Sequence, residues 1–358
     1  MNDFPSPDEL LAALVKIPGP PGQEDAVRQY LEEQLIGLNI TYRVDAKGNL
    51  LATTGDVVPD APTAVVTAHM DEIAAMVTGY EGGGGLRVAP LGGLYPWKWG
   101  EGPVDVLPLD GLNPVPGVLS FGSIHTTAAY SAAQLARDGK ALTWDHASIW
   151  TGLNRVELIE RGIVPGCRVV MAQDRRRVQA LGRNRVGSYF LDDRADCVAW
   201  LLALRAMKEA NVGDDVLFIA TVSEEVGGEG VLFALRSLSK PPTVCVALEI
   251  GPSTPDAHLT LDATPTLWIS DSYATMSPLD IALVYAAGGE VNCGVQPQAV
   301  TRGGSDATLA ASRGFCARPV TLAFAAENSH GFEIMHGDAM QMLADLLVAY
   351  LRRLETNL

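Results

Sequence analysis

The stretch that decides the fold lies between residues 193 and 249: DRADCVAWLLALRAMKEA (193–210), VLFIATV (216–222), GEGVLFALRSL (228–238) and TVCVALE (243–249). The first segment reads as a long helix and the second as an unbroken apolar run of strand length. The third is again helical, and the fourth is a buried strand ending in an acid. Helices that alternate with buried strands imply a sheet covered by helices on both faces. Residues 267–270, 278–287, 306–312, 319–324 and 338–354 continue the alternation. Upstream, Ser6-Pro7-Asp8-Glu9 offers a helix start, with Leu10, Leu11, Leu14 and Val15 at helical spacing. A second helix is predicted over residues 24–38, short strands over 40–44 and 49–53, and a buried strand over 63–68. The predicted class is α/β, a three-layer sheet with helices on both faces.

Between residues 71 and 170 the texture changes. Gly82 to Gly85, Gly92-Gly93 and prolines at 90, 96, 103, 108, 114 and 116 punctuate short apolar runs. That spacing predicts a small β-rich unit with tight turns, and a short helix over 156–161 ended by Gly162. The economical division is one α/β domain, residues 1–70 with 171–358, interrupted by a β-rich insertion over 71–170.

Composition excludes several classes. A net charge of -16 argues against nucleic acid or an anionic membrane as partner, since both need a basic face. No apolar run has the length of a bilayer span, and the polar stretch Met1 to Glu9, with Pro5 and Pro7, lacks the pattern of a signal peptide. The five cysteines, Cys167, Cys197, Cys245, Cys293 and Cys316, are scattered and never form Cys-x-x-Cys. They read as small buried residues of a reducing, cytoplasmic compartment rather than a disulfide framework or thiolate site. The glycine run at 82–85 has no Lys-Ser/Thr after it and reads as a hairpin turn, while Trp97 and Trp99 mark packing or a subunit contact.

The candidate chemistry sits where apolar runs end. His69 follows Ala64-Val65-Val66-Thr67-Ala68 and precedes Asp71; Asp192-Asp193 opens the long helix; Glu224-Glu225 follows 216–222; Glu249 follows 244–248; His330 follows 319–324, with His336 as its rival. Each has an ordinary reading taken alone: a strand-end histidine, a helix cap, a solvated acidic turn. Adjacent carboxylates at a strand terminus nevertheless repel unless a cation or a shared proton intervenes. Read as five strand ends carrying acids and imidazoles, with no comparable basic set, the pattern matches a paired site for zinc, cobalt or manganese.

The ordered set Ala68-His69-Met70-Asp71-Glu72, Leu191-Asp192-Asp193-Arg194, Ser223-Glu224-Glu225-Val226-Gly227 and Gly303-Gly304-Ser305-Asp306-Ala307 resembles the M42 family of metallo-aminopeptidases. Val88 to Gly93 and Glu160 to Gly166 resemble that family's dimerisation domain. The resemblance implies a zinc-exopeptidase type of fold and two divalent ions per subunit, zinc first. His69, Asp192 and Glu249 would surround one ion, and Asp192, Glu225 and His330 the other. It further implies Glu224 as general base, Asp71 as orienter of His69, Ser305 and Asp306 at the substrate, and a cis peptide at Asp192–Asp193. Short peptides would be the substrates, and dimers or dodecamers the assembly. The sequence departs from the family at Glu249, where Asp is usual, at Ser305 for Thr, and at His330-Gly331-Phe332-Glu333 for a His-x-Pro-x-Glu setting.

Three rival readings are carried forward. Gly303-Gly304-Ser305-Asp306-Ala307 is a near miss for the Gly-x-Ser-x-Gly of serine hydrolases. A related amide hydrolase would act on a non-standard small peptide or N-acyl substrate. An inactive assembly scaffold would have no use for Glu224.

Overall fold

Ser6 starts the first helix with a reciprocal cap: its hydroxyl accepts from the Glu9 N–H, and the Glu9 carboxylate accepts from the Ser6 N–H at 2.8 Å. The computed structural model describes residues 4–356, so the first three residues of the polar amino-terminal stretch and residues 357–358 lie outside the described residues. α1 (Pro7–Lys16) and α2 (Asp25–Gly37) bury Leu10, Leu11, Leu14, Leu31 and Leu35. The hairpin β1 (Thr41–Val44) and β2 (Leu50–Thr53) follows, closed by Asp45, and then the fully buried β3 (Ala64–His69).

Six strands form a closed barrel in the order β4-β5-β8-β7-β6-β9. They are β4 (Ala74–Tyr80), β5 (Gly85–Leu91), β6 (Gly102–Leu107), β7 (Val115–Ser120), β8 (Ser148–Trp150) and β9 (Arg168–Met171). Short helices α3 (Pro96–Trp99), α4 (Ala132–Arg137) and α5 (Arg155–Glu160) decorate it. Its core is separate from the rest and holds Val77, Leu86, Trp99, Val104, Ile149 and Val169. Gly82 to Gly84 make the β4–β5 turn, where Gly83 takes φ +78.

The chain then makes β10 (Gln179–Leu181), β11 (Arg185–Ser188), α6 (Leu191–Ala210), β12 (Val216–Thr221), α7 (Glu229–Arg236) and β13 (Val244–Pro252). It ends with β14 (Pro265–Ser270), α8 (Pro278–Glu290), β15 (Gln296–Ala299), α9 (Asp306–Ser312), β16 (Arg318–Ala326), β17 (Glu333–His336) and α10 (Ala339–Glu355). The main sheet has eight strands ordered β1-β2-β12-β3-β13-β16-β14-β15. Its centre, β12, β3, β13 and β16, is parallel, while β2 and β14 pair antiparallel to it, so the fold is α/β with a mixed sheet. The two-residue period of a strand divides the core. Val66, Phe218 and Val246 pack with α1, α6 and α10, whereas Val65, Leu217 and Cys245 pack with α7 and α9. No helix among the described residues is long and apolar enough to cross a membrane.

Two placements differ from expectation. Glu249 is inside its strand: β13 runs on to Pro252 because β16 pairs with it as far as Ala326. Asp192 is not at a strand end either; β11 stops at Ser188, and Asp192 begins α6 after Phe190 in the left-handed region. The small sheet β10-β11-β17 and the edge strand β15 were absent from the pattern. The Gln-Pro-Gln-Ala of β15 has no apolar alternation, and the other three are 3–4 residues long.

The exit of β3 is anchored by a buried ion cluster. Glu72 accepts from Arg176 at 2.8 Å and from Arg194 at 2.9 Å, and all three side chains are fully buried. The same arginines donate to Val15 O and Ile17 O, tying the end of α1 to the starts of α6 and the barrel connection. Removing the shared carboxylate leaves two guanidinium groups buried without a counter-ion. Glu72→Leu is expected to cost about 3–5 kcal/mol of stability, read as an earlier urea midpoint; a midpoint equal to wild type contradicts this.

Candidate metal centre

Parallel pairing brings the ligand-type residues to one row. Thr221 of β12 is level with His69, and the β13–β3 register, Ala247 with Thr67, carries Glu249 to the same height two residues on. The turn after β12 delivers Glu224 and Glu225. Their N–H groups donate to Asp71 Oδ1 at 2.9 Å and Oδ2 at 3.1 Å, so the Asp71 carboxylate fixes the acidic pair. His69 Nδ1 lies 3.1 Å from the Asp71 backbone carbonyl and 3.4 Å from the Asp71 carboxylate. Asp71 therefore meets the imidazole with both its main chain and its carboxylate, as expected of an orienting residue.

Asp192 lies between two imidazoles: Oδ1 is 3.0 Å from His69 Nε2, and Oδ2 is 3.5 Å from His330 Nε2. Glu225 Oε1 is 3.9 Å from the same His330 nitrogen. Two groups of ligand atoms result, each within 4.8 Å of one another: His69, Asp192, Asp193 and Glu249, and Asp192, Glu225 and His330. The Asp192–Asp193 peptide is cis. His336 is elsewhere, accepting from the Asp338 N–H.

The imidazole tautomers test whether these residues fit metal ions. His69 Nδ1 faces Asp71 O, and His330 Nδ1 faces Gly93 O at 2.9 Å. A carbonyl oxygen only accepts, so each Nδ1 carries a hydrogen and each Nε2 is the nitrogen left to take a proton or a metal ion. Each Nε2 faces an Asp192 oxygen, so a proton or a metal ion is needed between them, and a metal ion would take the place of the proton that the raised histidines hold. Buried orphan acceptors add to this: Asp193 Oδ1 and both oxygens of Asp196 have no hydrogen-bond partner among the described residues. The donor set of two nitrogens and carboxylate oxygens fits zinc, cobalt or manganese.

Electrostatics agree. Burial, and then the carboxylates of Asp306, Glu225 and Asp71, push Glu224 well above the carboxylate range. Burial raises Glu225 to about 7, against the pull of His330. Burial with Glu224 and Asp192 raises Glu249 strongly. Burial also lifts Asp192, but the two imidazoles outweigh it and hold this carboxyl below its ordinary value. Both histidines are raised well above theirs, because neighbouring carboxylates overcome the burial penalty.

Several residues around the centre carried no distinct sequence signal. Glu333 accepts from the Asp192 N–H at 3.1 Å and the His330 N–H at 2.9 Å, and so holds two ligands through their backbones. Asp193 accepts from the His69 N–H at 2.6 Å. Glu24 accepts from the N–H of Ser223, a residue at φ +56 that turns the chain into Glu224. The Asp192-Asp193 pair and the spacing of His330 to Glu333 were the hints the sequence held.

The two expected substrate contacts are both buried side chains. Asp306 is buried below the cavity, where it accepts from Thr221 Oγ1 at 2.6 Å. Ser305 lines the cavity, but its hydroxyl caps α9 and lies 2.7 Å from Thr321 Oγ1. With threonines rather than a histidine as partners, it has no base, which removes the serine-hydrolase reading. Basic residues also accompany the acids, contrary to expectation: Lys98 and Arg302 line the same cavity of about 840 Å³.

Residues 48–346 match the model of the M42 glutamyl aminopeptidase family. The chain belongs to that family. Its members are hydrolases of peptide bonds. The lysyl aminopeptidase of Pyrococcus furiosus is 27% identical over 244 residues, 68% of this chain and 66% of that protein. The glutamyl aminopeptidase of Lactococcus lactis is 25% identical over 245 residues, with the same shares of 68% and 66%. The match therefore spans just under two thirds of each relative. Among solved structures, the Pyrococcus horikoshii TET1 peptidase, which assembles into a tetrahedron or a large octahedral shell, superposes with a TM-score of 0.79. It is 26% identical, over 96% of this chain and 98% of that one. An aminopeptidase from the archaeon Desulfurococcus kamchatkensis gives 0.83 at 24% identity, over 96% and 94%.

Family membership makes the electrostatics testable. Glu225, at about 7 folded, and Asp196 and Glu333, each raised to about 8 by burial, have ordinary values of 4.5, 3.8 and 4.5. Between those limits the folded, metal-free chain binds protons that the unfolded chain has released, so its stability falls as pH rises. In chelator, Tm is expected to be lower at pH about 8 than at about 5.5, and added zinc or cobalt is expected to raise it more at the higher pH. A chelated Tm that climbs over this window contradicts the assignment.

Proposed function

We propose that this chain is a dinuclear metal-dependent aminopeptidase that removes the first residue from short peptides. The observation that carries it is Asp192, each of whose oxygens faces an imidazole Nε2, with Glu224 beside the pair. On this reading His69, Asp192 and Glu249, joined by Asp193, hold one ion, and Asp192, Glu225 and His330 hold the other. Bound ions supply Lewis acidity, lowering the pKa of water and polarising a carbonyl.

The chain's own residues do the rest. Glu224 lines the cavity and belongs to neither ligand group, so its carboxylate is free to take a proton from water and return it to the departing amine. Asp71 fixes that residue's backbone, and burial raises the proton affinity of Glu224 in the direction a general base needs. Carboxylates at the inner end of the cavity attract the substrate's free ammonium, which restricts cleavage to the amino-terminal bond. A blocked N-acyl substrate lacks that charge, which favours peptides over the N-acyl alternative.

The wider setting follows the same reading. All five cysteines are unpaired, which suits the cytoplasm. The barrel exposes Val118, Trp150, Val156 and Ile159, which suits a contact between copies in a dimer or dodecamer. A scaffold without activity would not need Glu224. Glu224→Gln is expected to retain two ions per chain while lowering kcat on aminoacyl p-nitroanilides by about 10²–10⁴-fold. Normal turnover in that variant would remove the mechanism.

A further inference from the structure

The barrel forms part of the catalytic cavity. Its segment after β5 packs on the ligand side chains: a Cβ at Gly92 would stand 3.0 Å from Glu225 Oε2, and one at Gly93 would stand 3.2 Å from the His330 ring. Five residues on, α3 places Lys98 in the cavity wall. The Lys98 ammonium donates to Asn328 Oδ1 at 2.7 Å and to Ser329 O at 2.9 Å. Both acceptors are neutral, and no carboxylate among the described residues lies within ion-pair distance. The group is half-buried; burial lowers its pKa, and the more distant Glu333 carboxylate offsets this only in part. An ammonium has three donors, and two are spent. The third remains for a ligand in the cavity.

Position limits what that ligand is. Ser329 is bonded to the ammonium and directly precedes His330, so the charge is held within roughly 10 Å of the His330 ligand nitrogen, about the span of three extended residues. Every short peptide carries one anion at that reach whatever its side chains, its terminal carboxylate. Resting on the aminopeptidase reading above, we infer that Lys98 is a specificity-determining residue that binds the carboxylate of di- and tripeptides while their amino end occupies the metal centre. A longer peptide places its terminal carboxylate beyond reach and loses the contact. The length preference then comes from one side chain of the barrel rather than from the catalytic sheet.

The experiment compares kcat/KM for a dipeptide with a free carboxylate and for its C-terminal amide, in wild type, Lys98→Met, Lys98→Arg and Arg302→Met. Because the ratio of the two substrates is taken within each enzyme, a misfolded fraction cancels. Wild type is expected to prefer the free acid by on the order of tenfold, through KM, as befits one charge-assisted hydrogen bond. Lys98→Met is expected to bring the ratio near one, while Lys98→Arg and Arg302→Met retain a preference. A wild-type ratio of one, an undiminished ratio in Lys98→Met, or a ratio lost only in Arg302→Met overturns the assignment. Turnover of both substrates with no preference overturns Lys98 alone. Turnover of neither substrate, nor of an aminoacyl p-nitroanilide, overturns the aminopeptidase reading and this inference with it.

Discussion

Asp192 stands between two imidazoles, 3.0 Å from one and 3.5 Å from the other, and most of the architecture serves to keep it there. The three residues come from segments far apart in sequence: the end of β3, the start of α6, and the turn between β16 and β17. Glu333 joins the last two by accepting from both backbones, and Asp193 joins the first two by accepting from His69. Each imidazole is turned by a carbonyl on its far nitrogen, one from the chain leaving β3 and one from the barrel. Strand register, a helix start and a barrel loop therefore converge on one carboxylate.

The second constraint is charge. Asp71, Asp193, Asp196, Glu224, Glu225, Glu249, Asp306 and Glu333 crowd around Asp192 and its two histidines. Like charges 4 Å apart repel by about 4 kcal/mol at an effective dielectric constant near 20, so such a set folds only with protons or cations among its members. Burial raises seven of these eight neighbours. The arginines nearest in sequence do not relieve them, because Arg176 and Arg194 are committed to Glu72. The surplus negative charge is thereby left to protons or cations, and the buried arginine cluster anchors the wall behind the site.

Much of the sheet was legible because its strands are buried on both faces and read as apolar runs, as in Val216 to Thr221. The acids that end or follow those runs stood out because carboxylates rarely border a buried segment without a partner. What escaped notice depends on pairings that no local pattern carries. Glu333 matters because β17 pairs with β11, bringing it opposite Ser188 and near Asp192. Asp193 looks like an ordinary acid in a first helical turn. Ser305 and Asp306 are the converse case: a loop motif suggests a substrate contact, and only the fold shows that their side chains also cap α9 and bond to β12. Lys98 has no sequence signature either, since its setting arises from the barrel docking against the turn that carries His330.

The most direct measurement is anomalous diffraction from crystals grown with zinc, recorded on both sides of the zinc edge. The account predicts two peaks per chain, one among His69, Asp192, Asp193 and Glu249, the other among Asp192, Glu225 and His330, with Asp192 touching both. A single peak that leaves one imidazole unliganded, or strong peaks only on the protein surface, would contradict it.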